Sequence, residues 1–305
     1  MFSPRIRTLT VSYGSHPSQT ADVYLPRGAG PHPVVALLHG GLWHASIDRA
    51  TMRPIAQHLA RAGYAVLNLE YRRLGEQGAG WPGTFLDAVD GVSLAARPLR
   101  TGRGTSETVV FDADRVAIVG HCSGGHLALW AAAWLCGLWL GDEWIGPTRQ
   151  EPGWDCSSIA DADGSGQPDR IGVRAVVALA PVTDLRAAER DGLGTTGPRA
   201  PASGGRPAAA ELLGGSPVAV AGRYRLGSPL DLLPVGREVA QLLVHGDADD
   251  IVPVDYSLRY ARVAEQLGDR VRVARLPGTG HYELLDPEHE AFQLVLRHLG
   301  EHLDN

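Results

Sequence analysis

The sequence is poor in cysteine and methionine, has no long apolar run and carries no excess of basic charge. Its 305 residues include three cysteines and two methionines, and the formal net charge is −6. Three cysteines are too few for a disulfide framework, which argues against a small secreted scaffold held by cross-links. The mild acidic charge, without a basic stripe, argues against nucleic acid as a partner.

Membrane and secretion signals are also missing. The longest apolar stretch, around 127–140, is too short to span a bilayer. The first residues, MFSPRIR, contain no apolar signal segment. We therefore expect no membrane association and a cytoplasmic location. We expect Cys136 and Cys156 to be reduced thiols and not a pair. The absence of closely spaced cysteine and histidine ligands predicts that the protein holds no metal and no cofactor.

Apolar strand-like segments alternate with helix-like segments along the chain. Strands are predicted at 8–13, 21–25, 33–38, 65–70, 116–119, 173–179, 241–244 and 271–276. Helices are predicted at 51–62, 84–96, 254–267 and 287–302, with another directly after residue 122. The first two strands are expected to form an antiparallel pair. The alternation as a whole predicts an α/β fold with a mostly parallel sheet and helices on both faces.

Two stretches interrupt this alternation. Residues 141–170 are polar with scattered tryptophans, and residues 187–227 are rich in Gly, Pro, Ala and Arg. Both follow the ends of regular elements, where loops that carry function are found. We interpret them as lid or pocket insertions in one domain that spans residues 1–305.

The segment GHCSGGH at 120–126 stands between a predicted strand and a predicted helix. A strand, a Gly-x-nucleophile-x-Gly turn and a helix form the nucleophile elbow of α/β-hydrolases. With Cys122 as the nucleophile, both flanking positions are glycine. With Ser123 in that role, the bulky His121 would stand where the turn needs a residue without a side chain. The spacing therefore predicts Cys122 as the nucleophile.

An activated nucleophile needs a base and an acid that orients the base. In α/β-hydrolases the chain order is nucleophile, acid, histidine. Two segments downstream of the elbow fit that order, LLVHGDADD at 242–250 and LPGTGH at 276–281. Both end predicted strands, at the sheet edge where such folds present their reactive groups. We predict Asp249 as the acid and His281 as the base.

Other acids and histidines have simpler explanations. Asp247 and Asp250 are alternative acids, and Asp250 is expected to cap the helix that begins near Pro253. We expect His126 to pack in the elbow helix and His245 to hydrogen-bond within the acidic loop.

The loop HGGLW at 39–43 follows a fully apolar strand and predicts half of an oxyanion hole. The glycines Gly40 and Gly41 let the backbone approach a substrate oxygen, and the N–H of Gly41 or Leu42 is the expected donor. The second donor is the N–H of Ser123, whose hydroxyl is left without a role. Trp43 is expected to line the substrate's acyl pocket, with a place in the core as the alternative.

Five motifs carry a resemblance to a known family. They are HGGLW at 39–43, NLEYRRLGEQGAGWPGTFLDAV at 68–89, RVAIVGHCSGGHLALW at 115–130, LLVHGDADDIVP at 242–253 and GTGHYELLDP at 278–287. In order and spacing they resemble the kynurenine-formamidase-like and small carboxylesterase branch of the α/β-hydrolases, over nearly the whole chain. The resemblance implies an α/β-hydrolase fold and the same oxyanion loop, nucleophile, acid and base.

The chain departs from that family in two places. The family has serine where this chain has Cys122, and the insertion at 141–170 is longer than expected. Residues 161–169 of that insertion begin like a calcium loop but lack the glutamate at the twelfth position, which favours a flexible acidic loop over a calcium site.

The cysteine leaves several functions open. Cys122 is interpreted first as the native nucleophile of a hydrolase that acts on a small ester or amide. The alternatives are an acyltransferase or cyclase with an acceptor other than water, and a serine enzyme in which Cys122 was introduced to trap or disable it. A non-catalytic protein that binds a ligand in the cleft is the alternative from another class. The expected partner is a small-molecule acyl substrate, and a homodimer is left open.

Overall fold

One mixed eight-stranded sheet organises the part of the chain that the computed structural model describes, residues 6–28, 30–100, 108–137, 139–140, 143–144, 171–195 and 205–304. In chain order the strands are β1 (Arg7–Ser12), β2 (Thr20–Leu25), β3 (His32–Leu38), β4 (Ala65–Leu69), β5 (Leu99–Arg100), β6 (Thr108–Val109), β7 (Phe111–His121), β8 (Trp139–Leu140), β9 (Glu143–Trp144), β10 (Val173–Leu179), β11 (Ala240–Gly246) and β12 (Arg270–Leu276).

The sheet has the strand order β1-β2-β4-β3-β7-β10-β11-β12. The pairs β1–β2 and β2–β4 are antiparallel, and every later pair in the sheet is parallel. Two short antiparallel ladders, β5–β6 and β8–β9, stand apart from it. The predicted mostly parallel sheet and its antiparallel first pair are confirmed.

Helices cover both faces of the sheet. They are α1 (Arg53–Arg61), α2 (Gly83–Val92), α3 (Ser123–Ala132), α4 (Leu185–Arg190), α5 (Ala208–Leu213), α6 (Ala221–Gly227), α7 (Asp255–Gln266) and α8 (Glu290–Leu303). Helices α1 and α8 pack in one apolar cluster, and α2, α3 and α7 pack in the other. Alternate residues of the central strands pack in the two clusters, because successive side chains of a strand point to opposite faces of the sheet. This arrangement is the predicted α/β architecture.

Helices α5 and α6 lie in the stretch 187–227 that was interpreted as an insertion, and α4 overlaps its beginning. Helix α4 starts at Asp184, whose carboxylate accepts the N–H groups of Arg186 and Ala187 at 3.0 and 3.1 Å. Helix α5 ends at Gly214, which adopts the left-handed conformation with φ 77°. Both are ordinary helix-end signals that the glycine- and proline-rich composition obscured.

Further expectations concern the cysteines, the calcium-like loop and membrane association. Cys136 is a free, half-buried thiol. Cys156 and the calcium-like loop at 161–169 lie outside the described residues, as does nearly all of the insertion at 141–170. Within the described residues, no helix has the length and apolarity that crossing a bilayer requires.

The crossing between β7 and α3 is so close that glycine is required on both sides. A Cβ atom on Gly120 would lie 2.0 Å from the carbonyl oxygen of Gly124. A Cβ atom on Gly124 would lie 2.1 Å from the carbonyl oxygen of Leu38, at the end of β3. The backbones of β3, β7 and α3 therefore touch one another directly, and this contact fixes the position of the residue between them, Cys122.

We expect Gly124→Ala to lower the free energy of unfolding by about 3 kcal/mol, because an added methyl group would overpack rigid backbone. The matched control is Gly222→Ala, since Gly222 is an exposed residue of α6 with no atom within 4 Å of a built Cβ. There alanine is expected to raise the stability by up to about 1 kcal/mol, because it is the better helix former. Urea unfolding of both variants measures the difference, and equal effects would contradict the close crossing.

Candidate active site

Cys122 lies at the turn between β7 and α3 in a backbone conformation that non-glycine residues rarely adopt. Its φ is 56° and its ψ is −119°. A residue with a side chain in this region is strained, and such strain persists only where the surrounding structure holds it. The turn aims the Cys122 side chain at the carboxyl edge of the sheet. The predicted frame, with glycines two residues before and after it, is the one that the structure adopts.

The predicted acid and base meet at the same edge. The Nδ1–H of His281 donates to Oδ2 of Asp249 at 2.7 Å. The same imidazole hydrogen-bonds on its other side to the sulfur of Cys122. Cys122 and His281 are 2% and 3% exposed. The structure therefore brings the three predicted residues together in one buried chain of hydrogen bonds.

The alternative acids are engaged elsewhere. Asp247 accepts the N–H of Gly278 at 2.7 Å and pairs with Arg275 at 3.2 Å, outside the chain that leads to Cys122. Asp250 is exposed. The expectation that Asp250 caps the next helix is wrong, because α7 begins two residues beyond Pro253 and its first turn has no side-chain cap.

Burial works against charge in this site, and local interactions overcome it. Burial disfavours the thiolate, but the charge of His281 and hydrogen bonds from His281, Ser123 N–H and Gly41 N–H lower the pKa of Cys122. Burial also disfavours the imidazolium, yet the Cys122 thiolate and Asp249 raise the pKa of His281 to about 10. Burial is likewise outweighed at Asp249, where hydrogen bonds from His245 and His281 hold its pKa well below the usual range. Both directions favour a thiolate at Cys122 beside an imidazolium at His281.

The two amides that hydrogen-bond to the Cys122 sulfur are those of Gly41 and Ser123. Gly41, Leu42 and Trp43 all have positive φ, at 113°, 51° and 63°, so the loop coils tightly beside the elbow. A Cβ atom on Gly40 would lie 3.0 Å from the Cβ atom of Cys122, which is why glycine stands there. Of the two expected loop donors, Gly41 is the one whose amide reaches the sulfur.

A buried histidine orients the Gly41 amide. His39 places Nδ1 2.8 Å from the carbonyl oxygen of Gly40 and Nε2 2.7 Å from the carboxylate of Glu70. The Gly40 carbonyl and the Gly41 N–H belong to one planar peptide unit, so holding the first aims the second. Tyr71 stacks on the His39 ring and donates its hydroxyl to the His39 carbonyl at 2.7 Å. Neither His39 nor Glu70 was predicted to have a role, although both lie in the motifs at 39–43 and 68–89.

Trp43 occupies the core, which is one of its two predicted places, and the Ser123 hydroxyl has a hydrogen-bond partner. Trp43 is 1% exposed and its ring meets the edge of His126 at a centroid distance of 5.2 Å. This is a core position, and a part in the acyl pocket stays a prediction. The Ser123 hydroxyl has a role, because it accepts the backbone N–H of Trp43 at 3.3 Å and ties the oxyanion loop to the elbow helix.

Three further histidines surround the triad. His121 donates from Nε2 to the carbonyl of His281 at 3.0 Å, and its burial and the charge of His281 lower its pKa to about 3. His126 is fully buried and donates from Nε2 to the carbonyl of Gly227 at 2.8 Å, so its predicted packing role is confirmed. His245 contacts the acidic loop, also as predicted. The sequence signal that could have pointed to this contact with His281 is the position of His121 inside the elbow motif.

The described part of the second insertion borders the oxyanion loop. Helix α5 places Glu211 3.7 Å from His44, directly after that loop. The carbonyl of Leu212 accepts the N–H of Trp81 at 2.7 Å. This placement agrees with the interpretation of residues 187–227 as a pocket insertion, and the division into domains stays a prediction.

One group of side chains among the described residues brings three metal-type ligand atoms within 4.8 Å of one another: His298, Glu301 and His302. It lies on α8 beside the first residue of β11, at the edge of the sheet opposite Cys122. Glu301 pairs with Arg272 at 3.2 Å, and this positive neighbour disfavours a cation.

Comparisons with known proteins agree with this geometry. A family model described as BD-FAE matches residues 21–262. A truncated carbohydrate esterase from gut microbiota has a TM-score of 0.70 and 24% identity, and the match covers 98% of this chain and 97% of that one. Esterase 2 of the Planctomycetes species Thermogutta terrifontis has a TM-score of 0.63 and 18% identity, over 96% and 90% of the two chains. At these identities the two structures show the fold alone.

The similar curated proteins are much longer. The alignment with non-reducing polyketide synthase Preu6 of Preussia isomera has 26% identity over 296 positions and covers 86% of this chain and 13% of that protein. The probable isoprenylcysteine α-carbonyl methylesterase ICMEL1 of Arabidopsis thaliana is 31% identical over 128 residues, which are 42% of this chain and 25% of that protein. The chain thus matches a minor part of each relative.

A strand–elbow–helix crossing and an aligned acid and base at the carboxyl edge of a mostly parallel sheet define an α/β-hydrolase. The chain has the fold of this class, and esterases are among its structural neighbours. Within the class, the chain belongs to the BD-FAE family.

We expect the rate of Cys122 alkylation by iodoacetamide to rise with pH around a midpoint below the ordinary thiol value of about 8.5. His281→Ala should move the midpoint upward, because the imidazolium that stabilises the thiolate is lost while burial remains. Mass spectrometry of the Cys122 peptide separates this thiol from Cys136, whose pKa burial raises to about 11.

The control for this measurement is His58→Ala, because His58 is a half-buried residue of α1, which packs in the apolar cluster that does not contain Cys122. It should leave the midpoint where it is. A wild-type midpoint at or above the ordinary thiol value would contradict the ion pair.

Proposed function

We propose that the protein is an acyl-enzyme hydrolase that acts on a small ester or amide through Cys122, His281 and Asp249. The observation that carries the proposal is the position of His281, which hydrogen-bonds to Asp249 at 2.7 Å and to the Cys122 sulfur at once. One imidazole that contacts both an acid and a nucleophile is the arrangement that activates a nucleophile and later protonates a leaving group.

The first half of the reaction acylates the cysteine. The Cys122 sulfur attacks the acyl carbon, and the carbonyl oxygen becomes an oxyanion that accepts the N–H groups of Gly41 and Ser123. The intermediate collapses as the bond to the leaving group breaks. His281 gives its proton to the departing alkoxide or amine, and a thioester with Cys122 remains.

The second half releases the acid. Neutral His281 takes a proton from water, and the water oxygen attacks the thioester carbon. The second oxyanion accepts hydrogen bonds from the same two N–H groups. When this tetrahedral intermediate collapses, the carbon–sulfur bond breaks. Carboxylic acid leaves, and the sulfur returns as a thiolate beside the imidazolium. Asp249 stays ionised throughout and holds His281 in the tautomer that both steps need.

The burial of the nucleophile supports a small acyl group. Cys122 is 2% exposed and belongs to the same apolar cluster as Trp43, Phe85 and Trp130. A bulky acyl group would have to displace close-packed side chains, whereas a formyl or acetyl group needs little space. A formamidase-like substrate, as in the kynurenine formamidase branch, and a simple small ester both meet this condition, and the expected partner is a small molecule.

The sulfur favours a second candidate function, acyl transfer. A thiolate exchanges with a thioester at little cost, since one carbon–sulfur bond replaces another, and the acyl group can then pass to an amine, an alcohol or a carbon nucleophile. The relative named as a polyketide synthase, with 26% identity over 13% of its length, is compatible with thioester chemistry at this site. In this candidate function an acceptor other than water occupies the place of the attacking water.

We expect Cys122→Ala to abolish turnover of p-nitrophenyl acetate, with a loss of about 10³-fold or more, because the alanine side chain cannot form the acyl-enzyme. Cys122→Ser should lower turnover about tenfold or more, because serine has no comparable ionisation beside His281. Both are measured at equal folded concentration. Full activity of Cys122→Ala would overturn the proposal, and a much faster serine variant would mean that the site is built for a hydroxyl.

The acceptor is tested by adding hydroxylamine to the same assay and counting hydroxamate against acetate. If hydrolysis is the function, total turnover should stay constant while hydroxylamine takes a share of the acyl group. If transfer is the function, total turnover should rise with hydroxylamine, because water removes the acyl group too slowly. Heat-denatured protein corrects for the direct reaction of hydroxylamine with the ester.

A further inference from the structure

His245 is a buried histidine that the proposed mechanism does not use. It is the second-last residue of β11 and is fully buried beneath the loop that carries Asp249. Its Nε2 lies 2.8 Å from the carbonyl oxygen of Val252, at the end of that loop. Its Nδ1 lies 2.8 Å from the hydroxyl of Ser257, a fully buried residue of α7.

These two contacts fix which nitrogen carries the proton. A carbonyl oxygen only accepts, so Nε2 must be protonated to bond to Val252. A hydroxyl can donate, so unprotonated Nδ1 accepts from Ser257. Both contacts are satisfied when the proton is on Nε2, and its N–H is then directed into the acidic loop.

That N–H also faces the triad acid. The distance from Nε2 of His245 to Oδ2 of Asp249 is 3.3 Å, and Oδ2 is the oxygen that accepts from His281. The other oxygen, Oδ1, accepts the N–H groups of Ile251 and Val252 at 2.9 and 2.8 Å. Oδ1 thus has two donors, whereas Oδ2 accepts from His281 and lies within 3.3 Å of the His245 Nε2–H, which it shares with the carbonyl of Val252. Rotation of the carboxylate would break bonds on both sides.

We infer that His245 is a positioning residue, which Ser257 holds in one tautomer and which fixes the Asp249 carboxylate against His281. The inference rests on the proposed function. Without the His245 N–H, the loop loses the bond to Val252 and Oδ2 loses its share of that N–H. Asp249 then aligns less well with His281, the imidazolium is less stabilised, and the thiolate of Cys122 forms at higher pH.

Two other titratable side chains lie beside His281, and their influence on the pH midpoint of Cys122 has to be separated from that of His245. His121 contacts the His281 ring at a centroid distance of 4.5 Å, and its pKa of about 3 keeps it neutral throughout the assay range. Tyr282 meets the His281 ring edge-on at 5.2 Å from the exposed side. Both side chains are present in the wild-type protein and in every His245 variant, so their own influence on the midpoint is common to all of them.

The test measures the pH midpoint of Cys122 alkylation by iodoacetamide, which requires no substrate. We expect His245→Leu, which removes the N–H at similar volume, to raise the midpoint by about one unit. His245→Gln, which places an amide N–H near the position of Nε2, should bring it back to within about 0.3 unit of wild type. Ser257→Ala removes only the hydroxyl that sets the tautomer, and it should give a smaller rise in a protein that keeps its packing.

The matched control is His298→Leu. His298 is also a buried histidine that donates from Nε2 to a backbone carbonyl, that of Ala240 at 3.2 Å, and it does so at the opposite edge of the sheet. This variant should lose thermal stability, measured by circular dichroism, and keep the wild-type midpoint. For turnover, His245→Leu should lower kcat about tenfold or more with little change in KM, because only alignment within the triad is lost.

The outcomes separate the inference from the proposed function. An unchanged midpoint in folded Ser257→Ala and His245→Leu overturns the inference alone. So does failure of His245→Gln to restore the midpoint, or an equal rise in His298→Leu. An ordinary thiol midpoint in the wild-type protein overturns the proposed function itself, whatever the variants do.

Discussion

The buried contact between Cys122 and His281, whose surroundings favour a thiolate beside an imidazolium, is the interaction on which the rest of the site depends. Both side chains are nearly inaccessible to solvent, so each charge has to be compensated by protein groups and not by water. The amides of Gly41 and Ser123 stabilise negative charge on the Cys122 sulfur, and the Asp249 carboxylate accepts the Nδ1–H of His281. Each of these groups is in turn held by others, and the network extends well beyond the three residues of the triad.

The outer supports reach the triad from different elements. The oxyanion peptide is held through His39 and Glu70, which follow neighbouring strands β3 and β4. Asp249 is held by its own loop and by His245 at the end of β11. A parallel sheet allows this because the carboxyl ends of its strands all meet at one edge. Groups that are far apart in the chain therefore arrive within hydrogen-bonding distance, and rigid strands keep them there.

Much of the fold could be predicted from the sequence because its signals are local. Apolar runs such as Val173–Leu179 gave strands with the observed bounds, and the spacing of Gly120, Cys122 and Gly124 gave the elbow. Chain order placed Asp249 and His281 correctly. Helices α4 to α6 were not predicted, because they have only six or seven residues and lie in a segment rich in glycine and proline. The supports of the triad were harder to predict. That Glu70 holds His39, or that Ser257 sets the tautomer of His245, depends on contacts between residues distant in the chain.

The sequence by itself determined the class of fold and the turn around Cys122, and it predicted Asp249 and His281 as acid and base, because residue spacing and strand ends are local features of the chain. Only the tertiary structure decided the chemical state of the site. Whether a thiol beside a histidine is ionised depends on how completely both are buried and on which donors surround them. The tertiary structure likewise decided that Gly41 supplies the loop amide, that Ser123 uses its hydroxyl and that Trp43 lies in the core. Each of these follows from distances between segments that the linear sequence does not contain.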